Sequence, residues 1–436
     1  MQPLRQKVKS EPVEYLDAEP GLPVFDLIMS LSNLVDLVSP VIENHHKQVA
    51  YASYCIGRVM NLSVPDLTRL YIAGSLHDIG AFSLKTKLHL LDFEIDNPHH
   101  HSITGYLLLK DYAPLTDVAC LIKHHHVHWL NGAGLEWKDE PVSILSHIIH
   151  LADRIAVLIQ RDDEILGQVK DITTQIRESS GRMLAPDAVE AFLELVKQEA
   201  FWLDLTSRSL AGISGRLVRN DMAELECKSI YQIAELLRRI IDFRSRFTSV
   251  HSSGVAAVAG FLASFSFLDV PTINMIKVAG LLHDIGKLSV PSEVLEKPGS
   301  LSQEDVYLLR KHTYYSYRAF EHIKRMREIN SWISLHHERL DGRGYPFRLK
   351  GEQIPLGARI IAVADYFTAI TEDRPYRKGL HLDEALRLMQ DMSNSGAFDP
   401  DIVSILVSNI DDINALRAVA QAGAAKDYRK FLAQME

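Results

Sequence analysis

Leu281-Leu282-His283-Asp284-Ile285-Gly286-Lys287 is an apolar run that stops at an imidazole and a carboxylate, with an ammonium three residues further on. Ile276, Val278, Ala279, Leu281 and Leu282 precede the pair at helical spacing and would carry it into a core. A buried carboxylate without a partner is costly. A metal ion would serve both side chains; ordinary hydrogen bonds are the simpler alternative. Taken alone, the pair satisfies either reading.

The chain outside this stretch shifts the balance, because the arrangement occurs twice. His45 is followed by Val49-Ala50 and then His77-Asp78-Ile79-Gly80; His251 is followed by Val255-Ala256 and then His283-Asp284-Ile285-Gly286. In both copies the two histidines are 32 positions apart. His101 and His312 come next, each heading a helix-like stretch with a tyrosine five positions later (Tyr106, Tyr317), and His125-His126 and His336-His337 each begin 24 positions further on. Asp153 and Asp365 close the two series, and SGRMLAPDAV at 180–189 resembles SGAFDPDIV at 395–403. Seven ligand-type positions recurring in order mark two related domains.

Bulk composition narrows the function. With 436 residues the chain has room for two or three domains. A hydrophobic fraction of 47% and a charged fraction of 24% describe a globular protein. Lys plus Arg number 47 against 56 Asp plus Glu, a net charge of −9, which argues against a nucleic-acid polymer as partner. A local basic pocket for a small phosphorylated ligand stays open. Cys55, Cys120 and Cys227 lie far apart, so they read as reduced buried thiols with no disulfide framework or thiolate zinc site. The N-terminal residues lack a signal-peptide apolar run, and Val255–Val270 is too short and too interrupted to span a bilayer, so a cytoplasmic protein with no membrane contact is expected. The 20 histidines, many clustered, point to metal.

The fold class expected is all-α, two tandem helical domains joined by a helical linker. Apolar residues recur at three- and four-residue spacing from Phe25 onward, and alternating strand patterns are nearly absent. Ser302 and Asp305 predict a capping box, with Leu301 and Val306 as its staple. The expected division is a loose lead-in at 1–20, a first domain at 21–205, a linker and connecting helix at 206–242, and a second domain with C-terminal helices at 243–436. Within the linker, SRSLAGISGRLVRND loses apolar regularity, and a long helix from about Met222 to Phe243 is expected to follow it.

In the second domain His251, His283, Asp284, His312, His336, His337 and Asp365 exceed what one tetrahedral zinc takes. They suit two metal ions bridged by one carboxylate. Neighbouring helical residues diverge by about 100°, so His283 and Asp284 address different directions and Asp284 is the bridge expected. The mixed imidazole and carboxylate set suits iron or manganese, with nickel and zinc also acceptable. Two such ions acidify a water and clamp phosphoryl oxygens, the usual device for phosphoester hydrolysis. Asp284 and Lys287 are the catalytic candidates, Lys287 adding positive charge against a phosphate.

HDIGK (283–287), HHERLDGRGYP (336–346), IPLGARIIAVADYFTAIT (354–371) and EDRPYR (372–377) resemble the HD-GYP family of the HD superfamily, over about residues 240–410. The resemblance implies a bacterial signalling phosphodiesterase that opens a cyclic dinucleotide, cyclic di-GMP or 3′,3′-cyclic GMP-AMP, to a linear dinucleotide. It implies the same seven metal ligands and a phosphate-contacting Lys287. It also implies a substrate loop at Arg343, Gly344, Tyr345 and Pro346, and ligand contacts from Arg374, Tyr376 and Arg377. Some members carry a glutamate four positions before the first histidine that helps hold a third metal. Phe247 stands there, so two metals are expected.

His45, His77, Asp78, His101, His125, His126 and Asp153 align with all seven ligands, but Ala81 replaces the lysine and VHWLNGAGLEWKDE carries no GYP. No DRPYR equivalent follows Asp153. This domain resembles the broader HD superfamily and reads as regulatory or structural. His46, His99, His100, His124 and His128 read as bystanders or supporting partners. A homodimer or signalling-protein partners are compatible with this layout. The competing reading is a sensing hub that binds metal or a cyclic dinucleotide and cuts nothing.

Overall fold

Two helix pairs, one in each half, set the architecture of the computed structural model, which describes residues 22–37, 44–81, 93, 98–218, 226–227, 229–244, 249–297, 299–373 and 378–435. In the first half α1 (Val24–Asp36) precedes the pair α2 (His45–Val59) and α3 (Val64–Leu76). Then come α4 (His99–Leu109), α5 (Thr116–Lys123), α6 (Ile144–Leu158), α7 (Ile165–Glu178), α8 (Pro186–Leu195), α9 (Glu199–Leu205) and α10 (Leu210–Val218). The second half repeats the opening: α11 (Ile230–Asp242), the pair α12 (His251–Ser264) and α13 (Val270–Leu282), α14 (Gln303–Phe320), α15 (Arg327–Ser334) and α16 (Leu356–Thr371). It closes with α17 (Leu382–Asn394), α18 (Pro400–Ser408) and α19 (Ile410–Ala433). The fold is all-α. The strands among the described residues are two-residue pairs, Leu22–Pro23 with Glu226–Cys227 and Glu136–Trp137 with Glu140–Pro141.

Caps explain where the central helices start. Ser63 accepts the Asp66 amide at the head of α3, and Asp269 accepts the Thr272 amide at the head of α13, each just before a proline in the first turn. The Ser302–Asp305 capping box forms as expected, although Leu301 remains exposed. Each central pair then meets at backbone distance. A Cβ on Gly74 would lie 2.7 Å from the Ala50 Cα, and one on Gly280 would lie 2.7 Å from the Ala256 Cα. Only glycine permits that approach. It sets the His45 ring 5.2 Å from His77 and the His251 ring 5.4 Å from His283.

The halves lean on each other reciprocally. α1 packs on α3 and also across on α14 and the 285–289 turn; α11 packs on α13 and also across on α4. The Ser30 hydroxyl donates to the Ala319 carbonyl at 2.6 Å, and the Arg239 guanidinium lies 3.2 Å from Asp111. Each leading helix thus rests on the helix that carries a candidate ligand of the other half.

Some expectations shift. Among the described residues the connecting helix starts at Ile230, where the Ser229 hydroxyl caps it; Met222, the expected start, lies outside them. The stretch expected to be irregular carries α10, with Leu210 and Val218 buried. His312 sits in the middle of α14, which the Ser302 cap starts well upstream, so it heads no helix. Cys120 is exposed and Cys55 half-buried, so these two are not the buried thiols expected.

Candidate metal centre

The His-Asp pair ends α13 because the helix runs out at Leu282, and the chain turns through a short 3₁₀ segment at Ile285–Ser289. His283 then faces α12 and α16 while Asp284 faces α14. The His251 Nε2 lies 3.0 Å from the Asp365 carboxylate, and the His283 Nε2 lies 3.8 Å from the same oxygen. On the other side His312 Nε2 is 3.4 Å from His336 Nε2, and the His337 ring stands 4.1 Å from His336. Asp284 lies between the groups, one oxygen 3.3 Å from His283 and the other 3.5 Å from His312. His251, His283 and Asp365 form one set of donors close enough to share an ion, and His312, His336 and His337 another.

Each ring is aimed by its second nitrogen. The Nδ1–H groups of His283, His312 and His336 donate to the carbonyls of Gly280, Leu309 and Ile333, at 2.9, 2.5 and 2.6 Å. A carbonyl only accepts, so in the neutral ring Nε2 is left as a lone pair facing the centre. The His283 Nε2 is fully buried with no hydrogen-bond partner. An orphaned buried acceptor beside two carboxylates is what a divalent cation satisfies, and the residues present fit one.

Charge follows the same division. Burial pushes His312 down to about 3 and His337 down to about 4, so both are neutral ligands at ordinary pH. Burial also opposes charge on His251, but Glu372 and Asp365 outweigh it and raise that imidazole to about 10. Burial opposes ionisation of Asp284 as well, yet His283 and Lys287 hold it well below the usual carboxylate range.

The Lys287 ammonium lies 2.6 Å from the Asp284 oxygen that also faces His283, and keeps partial solvent exposure. Tyr345 comes to the centre, its ring 4.9 Å from His337 with the Arg310 guanidinium 4.4 Å from its centroid. The loop is tied down by Glu338, buried at 3% exposure, which accepts the amides of Phe347, Arg348 and Leu349 at 2.6, 3.0 and 3.1 Å. Within the loop Gly344 is buried and Pro346 half-buried, whereas the Arg343 side chain is exposed and its amide donates to Asp341. Arg374, Tyr376, Arg377 and Phe247 lie outside the described residues.

Sequence reasoning passed over Arg310, Glu338 and Glu372. The Glu372 carboxylate is buried, with both oxygens 3.1 Å from His251 Nδ1. The signal for Glu338 was its place directly after the His336-His337 pair. Glu372 had none, since an acidic residue before DRPYR looks solvated.

The first half builds a similar cluster. His45 Nε2 is 3.2 Å from Asp153, His77 Nε2 is 3.5 Å from Asp78, and His101 Nε2 is 3.1 Å from the other Asp78 oxygen. The His126 Nε2 lies 3.1 Å from His101, and the His125 ring 4.0 Å from His126. Ala81 is buried where Lys287 stands in the second half. The cation here is Arg154, buried and 2.5 Å from the Asp153 carboxylate. Of the neighbouring histidines, His46 hydrogen-bonds Asp36 through Nδ1, and His124 approaches Glu140 at 3.4 Å.

Profiles described as HD domain match residues 42–158 and residues 235–402. The chain is 30% identical over 374 residues to the 3'3'-cGAMP-specific phosphodiesterase 1 of Vibrio cholerae, covering 84% of this chain and 87% of that one. It is 41% identical over 165 residues to the cyclic di-GMP phosphodiesterase PA4108 of Pseudomonas aeruginosa, covering 38% and 39%. The crystal structure of the cyclic GMP-AMP-specific phosphodiesterase V-cGAP3 of V. cholerae superimposes with a TM-score of 0.62 at 22% identity, over 90% of this chain and 98% of that one. That likeness establishes a shared fold.

Proposed function

The chain belongs to the HD-domain cyclic-dinucleotide phosphodiesterases with two HD domains, and we propose that its second domain cuts while its first regulates. It hydrolyses a cyclic dinucleotide. The observation that carries the division of labour is Lys287 beside Asp284 in one centre and the buried Ala81 in the other. The second domain is read as an HD-GYP domain of bacterial type acting in the cytoplasm; among the described residues no helix is long and apolar enough to cross a membrane.

Two divalent cations, when bound, supply the acidity that makes water a nucleophile at neutral pH and the charge that offsets phosphoryl oxygens. His251, His283 and Asp365 would hold one, and His312, His336 and His337 the other, with Asp284 lying between the two sets. Lys287 sits at the partly open edge, where its ammonium meets the phosphodiester and balances charge as the bond to the 3′ oxygen breaks. Arg310 and His337 hold the Tyr345 ring at that edge, and Glu338 holds the loop beneath it. Arg343, Gly344, Pro346, Arg374, Tyr376 and Arg377 complete the substrate contacts on this reading. In the first domain the seven ligands would hold metal without a cation facing substrate, because Arg154 is buried against Asp153.

The preferred substrate is 3′,3′-cyclic GMP-AMP. Support comes from the similarity to a relative named for it, which covers 84% of this chain, whereas that to the cyclic di-GMP enzyme covers 38%. The test is incubation of the purified full chain, loaded with manganese, with each cyclic dinucleotide, following the mass gain of one water. The expected result is a linear dinucleotide formed at least tenfold faster from 3′,3′-cyclic GMP-AMP. Equal rates would overturn the preference, and no product from either would overturn the catalytic reading.

A further inference from the structure

α19 runs for 24 residues to Ala433, beyond every ligand of either centre, and the mechanism above makes no use of it. Yet it lies along α12, the helix that opens with His251. Where the two meet, the Gln421 amide donates to the Glu372 carboxylate at 3.1 Å. The Arg417 guanidinium donates to the other end of that amide at 2.6 Å. Glu372 in turn faces His251 Nδ1 with both oxygens at 3.1 Å. His251 points its other nitrogen at Asp365. The two nitrogens lie at different edges of the ring, so Glu372 and Asp365 meet His251 from different sides.

We propose that Glu372 is a positioning residue for the catalytic centre, holding the His251 imidazole with Nδ1–H outward and Nε2 toward its metal, and that α19 completes the site by fixing Glu372 through Gln421. The inference rests on the reading of the second domain as the metal-dependent one. His283, His312 and His336 are each aimed by a carbonyl three residues earlier in their own segment. His251 opens its helix, and among the described residues the group that faces its Nδ1 is the Glu372 carboxylate. A carboxylate from elsewhere takes that role, and it also makes the ring a stronger donor.

The close fit of α19 is built into the sequence. A Cβ on Gly254 would lie 2.9 Å from the Gln421 amide nitrogen and 2.9 Å from the Thr368 methyl, so glycine leaves the space that the amide fills. The first domain does this differently. Counting from the shared aspartate, the counterpart of Glu372 is Gln160, which is exposed and engaged through its backbone with Gln168. The counterpart of Gly254 is Gln48, whose amide donates to the Leu205 carbonyl at 3.2 Å. The carboxylate support is therefore a second feature, besides Lys287, that separates the two centres.

The test is manganese titration of the metal-stripped full chain by calorimetry, with the melting temperature of the metal-free form recorded for each variant. Glu372→Gln should weaken one manganese site by about 10–100-fold with the metal-free melting temperature held within a few degrees. Gln421→Ala and Gly254→Ala, which leave the carboxylate in place but unsupported or displaced, should weaken the same site by a smaller factor. Unchanged manganese affinity in a folded Glu372→Gln variant would overturn the proposal, as would a loss of melting temperature with affinity intact. If Glu372→Gln fails to fold, an unchanged affinity in Gln421→Ala overturns it equally. A double variant, His283→Ala with Asp284→Ala, that binds as much manganese as wild type would instead defeat the reading on which the proposal rests.

Discussion

Replacing Glu338 by glutamine should detach the loop that presents Tyr345 while leaving every candidate ligand in place. The buried carboxylate accepts three consecutive backbone amides, from Phe347, Arg348 and Leu349, at 2.6–3.1 Å. A hydrogen bond to a charged group contributes about 1.5–3 kcal/mol. The donors lie near the surface and can find water once released, so the low end applies, about 4–5 kcal/mol for the three together. A glutamine keeps one acceptor oxygen and turns an N–H₂ toward amides that also donate. About 2–3 kcal/mol of loop anchoring should therefore be lost, equivalent to a 30–150-fold rise in the population of the open loop. Hydrogen exchange at the Phe347, Arg348 and Leu349 amides should speed up by roughly that range, with a melting temperature within a few degrees of wild type. Exchange within threefold of wild type would refute the reasoning, because the loop would then not depend on this carboxylate.

Three further outcomes follow from the geometry. Lys287→Ala should lower kcat by about 10²-fold with manganese content unchanged, and Ala81→Lys in the first domain should not compensate; metal analysis beside rate measurement checks both. His251 is raised from 6.5 to about 10, so in the metal-free chain its favourable contact with Glu372 and Asp365 is fully present below about pH 6.5 and is lost as pH rises through 10. Denaturant titrations of the stripped protein at pH 6, 8 and 10 should show a decline on the order of a few kcal/mol that His251→Gln flattens. Gly280→Ala would place a methyl 2.7 Å from the Ala256 backbone, forcing α12 from α13, and should cost about 1–3 kcal/mol together with weakened manganese binding.

Much of this protein is legible in its sequence because its chemistry is repeated. The His-Asp pair, the later histidines and the closing aspartate recur at nearly fixed spacing, and the structure gathers each series into one buried cluster. The Ser302–Asp305 cap is equally local, and it forms. What escaped depends on contacts made at a distance. Glu372 supports His251 across 121 positions and is itself held from 49 positions further on. It opens the EDRPYR motif, yet nothing in that motif says that its carboxylate turns inward to His251. Gly74 and Gly280 read as ordinary helix residues until the crossing helix is present.

The central claim is that the chain cuts with its second domain. Its most direct test compares two full-length double variants, His77→Ala with Asp78→Ala and His283→Ala with Asp284→Ala, in one hydrolysis assay with metal content measured on the same samples. The second pair should abolish turnover with the loss of metal from that domain only, and the first pair should leave the chemical step running. Turnover that survives the second pair and disappears with the first would contradict the account and move the active centre to the domain that carries Ala81.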